Sequence, residues 1–95
     1  MHIGELQRII KERDYKPELA KDYFLKLVEE VGELSKVILK GKTYKNSPSN
    51  TIKGTIDEEL YDVIYYCLAL ANIYGIDMEQ AVSLKEAINK TRTDH

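Results

Sequence analysis

Two groups of carboxylates dominate the chemistry open to this chain. The first is Glu29-Glu30-Val31-Gly32-Glu33 and the second is Asp57-Glu58-Glu59-Leu60-Tyr61-Asp62. On an α-helix, residues three apart lie about 60° apart around the axis and one turn along it. Glu30 and Glu33 then point one way, and so do Glu59 and Asp62. Leu27, Val31 and Leu34 flank the first pair, and Leu60 and Val63 flank the second. Packing those apolar stripes together would set two carboxylate pairs face to face at the edge of a core.

Such a cluster is unfavourable when bare, because like charges repel and desolvation adds to the cost. A cation would relieve it. The donors are all oxygen, with no cysteine or histidine close by, which selects a hard cation. Magnesium comes first, with manganese as a substitute. Magnesium keeps several waters and bridges to substrate phosphates, so phosphate chemistry is the natural partner of such a site. Spacing alone leaves a second reading open, since acidic pairs three apart also mark ordinary solvated helix faces.

The elements that must position these acids are legible from periodicity and punctuation. Leu6, Ile9 and Ile10 give helical spacing to a first segment over Ile3–Arg13, which Asp14-Tyr15-Lys16-Pro17 interrupts. Proline suits a first helical position, so a second helix is expected from about Pro17 to Lys40, with Gly41 as its stop. Residues 41–54 are rich in turn formers and read as a loop. That loop carries Lys42, Lys45 and Lys53. It either closes over phosphates or is a plain solvated connection. Thr55 and Glu58 form a capping box that starts a third helix, running to about Tyr74. Asp77, with Gln80 at the reciprocal position, starts a fourth that runs to about Thr91. Four helices and short connections predict an all-α, four-helix bundle-type fold. The third helix is apolar on most faces, and Ile64, Cys67, Leu68 and Ala71 are expected to need partners beyond one short chain. That predicts a homodimer or homotetramer.

Composition narrows the classes further. The chain has 95 residues, which suits a single domain over 1–95. Hydrophobic residues make up 43% and charged residues 32%, a globular rather than a disordered balance. The formal net charge of -2 offers no field that would draw the chain to nucleic acid or to a membrane surface. No run approaches the roughly 20 apolar residues of a membrane span, and the first residues lack the layout of a signal peptide. The one cysteine, Cys67, falls in an apolar stretch and reads as core. These features together predict a cytoplasmic protein.

The acids sit within longer stretches that resemble a known family. Glu-Glu-Val-Gly-Glu-Leu at 29–34, Glu-Glu-Leu-Tyr-Asp-Val-Ile-Tyr-Tyr at 58–66, Gly-Ile-Asp-Met-Glu-Gln-Ala at 75–81 and Lys85-x-x-x-Asn89-x-x-Arg92 are similar to the signature of the MazG-like all-α nucleoside triphosphate pyrophosphohydrolases. The resemblance covers roughly residues 13–92. It implies that Glu30, Glu33, Glu59 and Asp62 hold magnesium. It makes Glu29 a further acid, on a second ion or orienting the attacking water. It brings Lys85, Asn89 and Arg92 toward the substrate. It also implies cleavage between the α and β phosphates of a nucleoside triphosphate, releasing nucleoside monophosphate and pyrophosphate. Tyr66 is a candidate for stacking in the nucleotide pocket, or else a tyrosine packed between helices. Lys26 either pairs with the acids or meets a phosphate. Relatives that prefer pyrimidine deoxynucleotides often present tryptophan near the base, and this chain has none.

Rival readings remain at this level. Phosphoribosyl-ATP pyrophosphohydrolase belongs to the same superfamily, and Lys26 ahead of Glu29-Glu30 lends it some support. A non-catalytic helical regulatory module is a second rival, against which stands the retention of all four acids. A carboxylate-bridged di-iron bundle is a third, but that design uses Glu-x-x-His motifs. The only histidines here are His2 and His95.

Overall fold

The structure, a computed structural model, describes residues 1–92. Four α-helices make up the architecture: α1 (Ile3–Arg13), α2 (Ala20–Lys40), α3 (Ile56–Ile73) and α4 (Met78–Lys90). No strand occurs among the described residues. Helix boundaries follow local backbone chemistry. Asp14 ends α1 with its N–H on the Ile10 carbonyl at 2.8 Å. Pro17 opens a single 3-10 turn, Pro17–Leu19, rather than the α-helix itself, and Leu19 N–H closes that turn on the Lys16 carbonyl at 2.9 Å. Gly41 ends α2 in the left-handed region at φ 68°, where a side chain would be strained.

The start of α3 is the most firmly built. Thr55 is fully buried. Its hydroxyl donates to the Ile52 carbonyl and accepts from Glu58 N–H at 3.2 Å. Glu58 reaches back to Gly54 N–H at 2.9 Å, one residue earlier than a simple capping box requires. Asp77 caps α4 by accepting from Gln80 N–H at 3.1 Å. The 41–54 loop is tied to α3 by Ile56 N–H on the Lys42 carbonyl at 2.9 Å and by Tyr44 N–H on Asp57 Oδ1 at 2.8 Å.

Helix α2 packs along α3, α1 lies against α3, and α4 leans on α1. The core is small and sits where α1 meets α3. Ile10, Tyr23, Leu68 and Ala69 are buried, with Ile3, Leu6, Tyr65, Ile73 and Met78 packed around them. This corrects one expectation. Leu68 and Ala71 need no second chain, because α1 folds back and both are buried within this one. Ile64 and Cys67, from the same set, do remain exposed, so Cys67 is not core. Gln7 stitches the same end together. Its side chain donates to the Ile76 carbonyl at 2.7 Å and accepts from Met78 N–H at 3.1 Å. Its own carbonyl accepts from Asn72 Nδ2 at 3.0 Å.

The other flank is bare. Phe24, Leu25, Val28 and Val31 on α2, and Leu60 and Ile64 on α3, are exposed. The accessible surface is 7099 Å². A compact monomer of this mass exposes about 5,600 Å². The radius of gyration is 15.5 Å, where a compact chain of this length gives about 12.4 Å.

Candidate metal-carboxylate site

Two facing helix stripes build the site. On α2, Lys26, Glu30 and Glu33 follow at steps of four and three. On α3, Glu59, Asp62 and Tyr66 follow at steps of three and four. The charge of Lys26 acts on Tyr66, while Glu30 meets Glu59. The two stripes therefore run antiparallel, Lys26 opposite Tyr66 and Glu30 opposite the acids.

The structure brings three of the expected ligands together. One carboxylate oxygen each from Glu30, Glu59 and Asp62 lies within 4.8 Å of the others, and all three residues are partly buried. Glu59 carries the stress of this arrangement. Its Oε2 is buried and has no hydrogen-bond partner. Burial and the adjoining Glu30 carboxyl, with the charges of Asp62, Glu30 and Glu58, push its pKa up to about 7. Asp62 is raised as well, by burial and by the charge of Glu58. An orphaned carboxylate oxygen facing two further carboxylates is what a hard, oxygen-seeking cation satisfies, so these residues fit magnesium or manganese.

The remaining expected residues are placed differently. Glu33 shares the α2 stripe but turns toward Lys36, with Nζ 3.4 Å from its Oε1. It stands outside the three-acid cluster, one turn along α2 from Glu30. Glu29 points to solvent and pairs with Lys26 at 3.6 Å, both side chains being more than half exposed. Such a pair holds neither residue firmly. Tyr66 is half-buried beside the cluster. Burial raises its phenol, Lys26 opposes that rise, and Glu30, Asp14 and Asp62 add to it.

Lys85, Asn89 and Arg92 are not brought to the acids. The charges felt by Glu59 and Asp62 are all carboxylates. Lys85 is exposed on α4. Asn89 spends its side chain on Glu86 Oε2 at 2.9 Å. Arg92 lies past the end of α4, where Thr91 closes the last turn, so it leaves the helical face it was expected to share.

Sequence reasoning missed Asp14, Tyr23 and Tyr65. Asp14 was read only as part of a helix break. It accepts the hydroxyl of Tyr23 at 2.5 Å and that of Tyr65 at 2.8 Å, one on each carboxylate oxygen. These bonds hold Asp14 below the usual carboxylate range and, with burial, push Tyr23 up to about 12. The signal available was an aspartate just before a proline-opened helix, which does not name its partners.

Comparison with known proteins agrees with the all-helical fold. No functionally curated protein matches the chain. Among solved structures, iMazG from Vibrio DAT 722 is similar in two tagged versions. One, carrying a C-terminal tag, is 54% identical over 95% of this chain and 99% of that one, with a TM-score of 0.83. The other, with an N-terminal tag, is 51% identical over the whole of both chains, with a TM-score of 0.84. The MazG nucleotide pyrophosphohydrolase domain matches residues 18–95, a span that contains both acidic stripes and α4. Helix order, paired carboxylates and this match converge, and the chain belongs to the MazG nucleotide pyrophosphohydrolase family.

Proposed function

We propose that this protein hydrolyses a nucleoside triphosphate to nucleoside monophosphate and pyrophosphate, with magnesium held by Glu30, Glu59 and Asp62. The observation that carries the reading is the orphaned Oε2 of Glu59 inside the three-acid cluster. Bound there, magnesium supplies charge neutralisation for the triphosphate and acidifies a coordinated water. Glu30, Glu59 and Asp62 orient that charge and keep the phosphates at one end of the site. Glu33 lies one turn along the same stripe and joins them when its side chain leaves Lys36. Glu29, which pairs with Lys26 in this structure, takes the role of a further acid, on a second ion or orienting the attacking water, when it turns from solvent toward the site. Tyr66 walls the site on the side away from Glu59, and Lys26 stands across from it.

The cationic residues of α4 enter this proposal through a second copy of the chain. Lys85, Asn89 and Arg92 do not reach the acids of their own chain, yet transition-state charge on the phosphates calls for cations. The exposed apolar flank of α2 and α3 is the surface that would seat the partner. The excess surface is roughly 1,500 Å² per chain, in the range that permanent interfaces bury. A homodimer, or a pair of dimers, would cover Phe24, Val28, Val31, Leu60 and Ile64 beside the acids. The lone Cys67 suits a reducing cytoplasm.

The test is a pyrophosphate-release screen over a nucleotide panel, with magnesium and with chelator, and light scattering at low micromolar concentration. Pyrophosphate as first product from at least one nucleoside triphosphate, lost on chelation and restored by magnesium or manganese, is expected from an oligomer. Orthophosphate as first product refutes the reaction, and an active particle of monomer mass refutes the shared pocket.

A further inference from the structure

The Tyr66 end of the α3 stripe is braced from outside the acidic cluster. Asp14 lies between α1 and the Pro17–Leu19 turn, yet its carboxylate joins two other helices. Tyr23 of α2 donates to one oxygen and Tyr65 of α3 to the other. The Tyr65 ring meets the Tyr66 ring edge-on, with centroids 5.1 Å apart and planes at 75°. It meets Tyr61 on another side, at 6.4 Å and 62°. Adjacent helical residues point about 100° apart. Tyr65 therefore faces Asp14 while Tyr66 faces the acid stripe, and the first ring backs the second.

We infer that Asp14 is a positioning residue for nucleotide binding: it pins Tyr65, and Tyr65 holds the Tyr66 ring as the wall against which the base and sugar of the substrate lie. This rests on the proposed function and deepens it. A half-exposed aromatic without backing samples several rotamers and loses contact energy when it orders on binding. A ring held edge-on by a neighbour whose hydroxyl is fixed has that ordering done in advance. The brace spans α1, α2 and α3 but touches none of Glu30, Glu59 or Asp62. It is expected to act on binding and to leave the chemical step alone.

The test compares Asp14→Ala, Tyr65→Phe and Tyr23→Phe, alone and in a Tyr66→Leu background. The probe is the magnesium complex of the α,β-methylene analogue of whichever nucleoside triphosphate the wild type cleaves fastest. Tyr65→Phe keeps the ring and removes only the hydroxyl, so it stays informative if Asp14→Ala fails to fold. Kd and KM are expected to rise about fivefold in Asp14→Ala and Tyr65→Phe, with kcat within twofold of wild type. Tyr23→Phe lowers Tm and leaves Kd unchanged, because Tyr65 keeps its acceptor. In the Tyr66→Leu background the Tyr65 substitution adds no further loss. Three variants that lower Tm but bind nucleotide like wild type would overturn the inference. So would losses that add fully to Tyr66→Leu. Wild type that binds no nucleoside triphosphate overturns the functional reading instead, a control read before any variant is made.

Discussion

The two ends of α3 solve opposite problems. Around Leu68–Asn72 the polar side chains bond across elements: Asn72 bonds the Gln7 carbonyl, and Gln7 bonds Ile76 and Met78. Around Glu59–Asp62 the polar groups repel, one oxygen is orphaned, and the apolar flank is exposed. The first arrangement is what stability alone selects. The second lowers stability in a single bare chain, and in the proposed function a cation and a second chain complete it. On the proposed function, stability and chemistry occupy separate stretches of one helix. Substitutions at the two ends are expected to part company, each moving one property and sparing the other.

The largest expected effect is at the strained end. Glu59→Gln removes one cluster charge and one cation ligand together. Turnover is expected to fall on the order of 1,000-fold, about 4 kcal/mol of transition-state stabilisation. The fold is expected to hold or to gain a few degrees in Tm, because the repulsion from Glu30 and Asp62 is gone. Initial rates at saturating magnesium and a thermal melt settle it together. Unfolding of the variant would make Glu59 a structural partner and abolish the contrast between the ends.

At the satisfied end the same logic inverts. Asn72→Leu deletes the side-chain bond to the Gln7 carbonyl, which keeps its bond within α1, and puts a branched apolar side chain in the buried place of an amide. The expected cost is about 2 kcal/mol, seen as a Tm lower by roughly 10 °C. The rate per folded molecule should stay within twofold. A large loss of kcat without loss of Tm would show that this end reaches into the site.

How much of this contrast was legible in the sequence follows from the range of each interaction. Thr55, Asp77 and Gly41 marked helix ends correctly because caps are settled by residues within four positions. Glu30, Glu59 and Asp62 were legible because i, i+3 spacing fixes a face once two helices pack. The coverage of Leu68 and Ala71 was not, since it depends on α1 returning across the chain. The pairing of Glu33 with Lys36 was not legible, because it is a side-chain choice that periodicity cannot rank. The brace on Asp14 was invisible for a plainer reason: its partners lie 9 and 51 residues away.

Acidity separates the acid cluster from the Asp14 brace without any substitution. Glu59 has a folded-state pKa above its unfolded value, so the protonated carboxyl favours folding. That contribution is whole below the ordinary glutamate value near 4.5 and is lost as pH rises through about 7. Asp62 shifts in the same direction. Asp14 is the reverse: its pKa is lowered, so its contribution is present above the ordinary aspartate value and is lost as pH falls. The metal-free protein is expected to lose about 1 kcal/mol between pH 5 and roughly pH 8, the shift at Glu59 being discounted for solvent screening at a partly exposed site. Denaturant melts at both pH values read this directly. Magnesium should flatten the slope, and Glu59→Gln should remove most of it. A slope that survives Glu59→Gln would place the strain elsewhere.

The smallest effect tests how finely the satisfied end is fitted. Gly4 donates its N–H to Glu79 Oε1 at 3.0 Å, tying α1 to α4. A Cβ on Gly4 would fall 2.7 Å from that same oxygen, too close to keep. The obstacle is the tip of a flexible side chain and not backbone, so it can swing away. Gly4→Ala then loses one exposed hydrogen bond, about 1 kcal/mol. It gains up to about 1 kcal/mol from replacing glycine within a helix. The two nearly cancel, and Tm is expected to stay within about 4 °C of wild type with kcat/KM unchanged. Glu79→Gln keeps an acceptor for the Gly4 N–H and should likewise be mild. A Tm drop of 10 °C or more in Gly4→Ala would mean that α4 cannot yield, and that its seat on α1 is as firmly set as the buried Gln7 and Asn72 beside it.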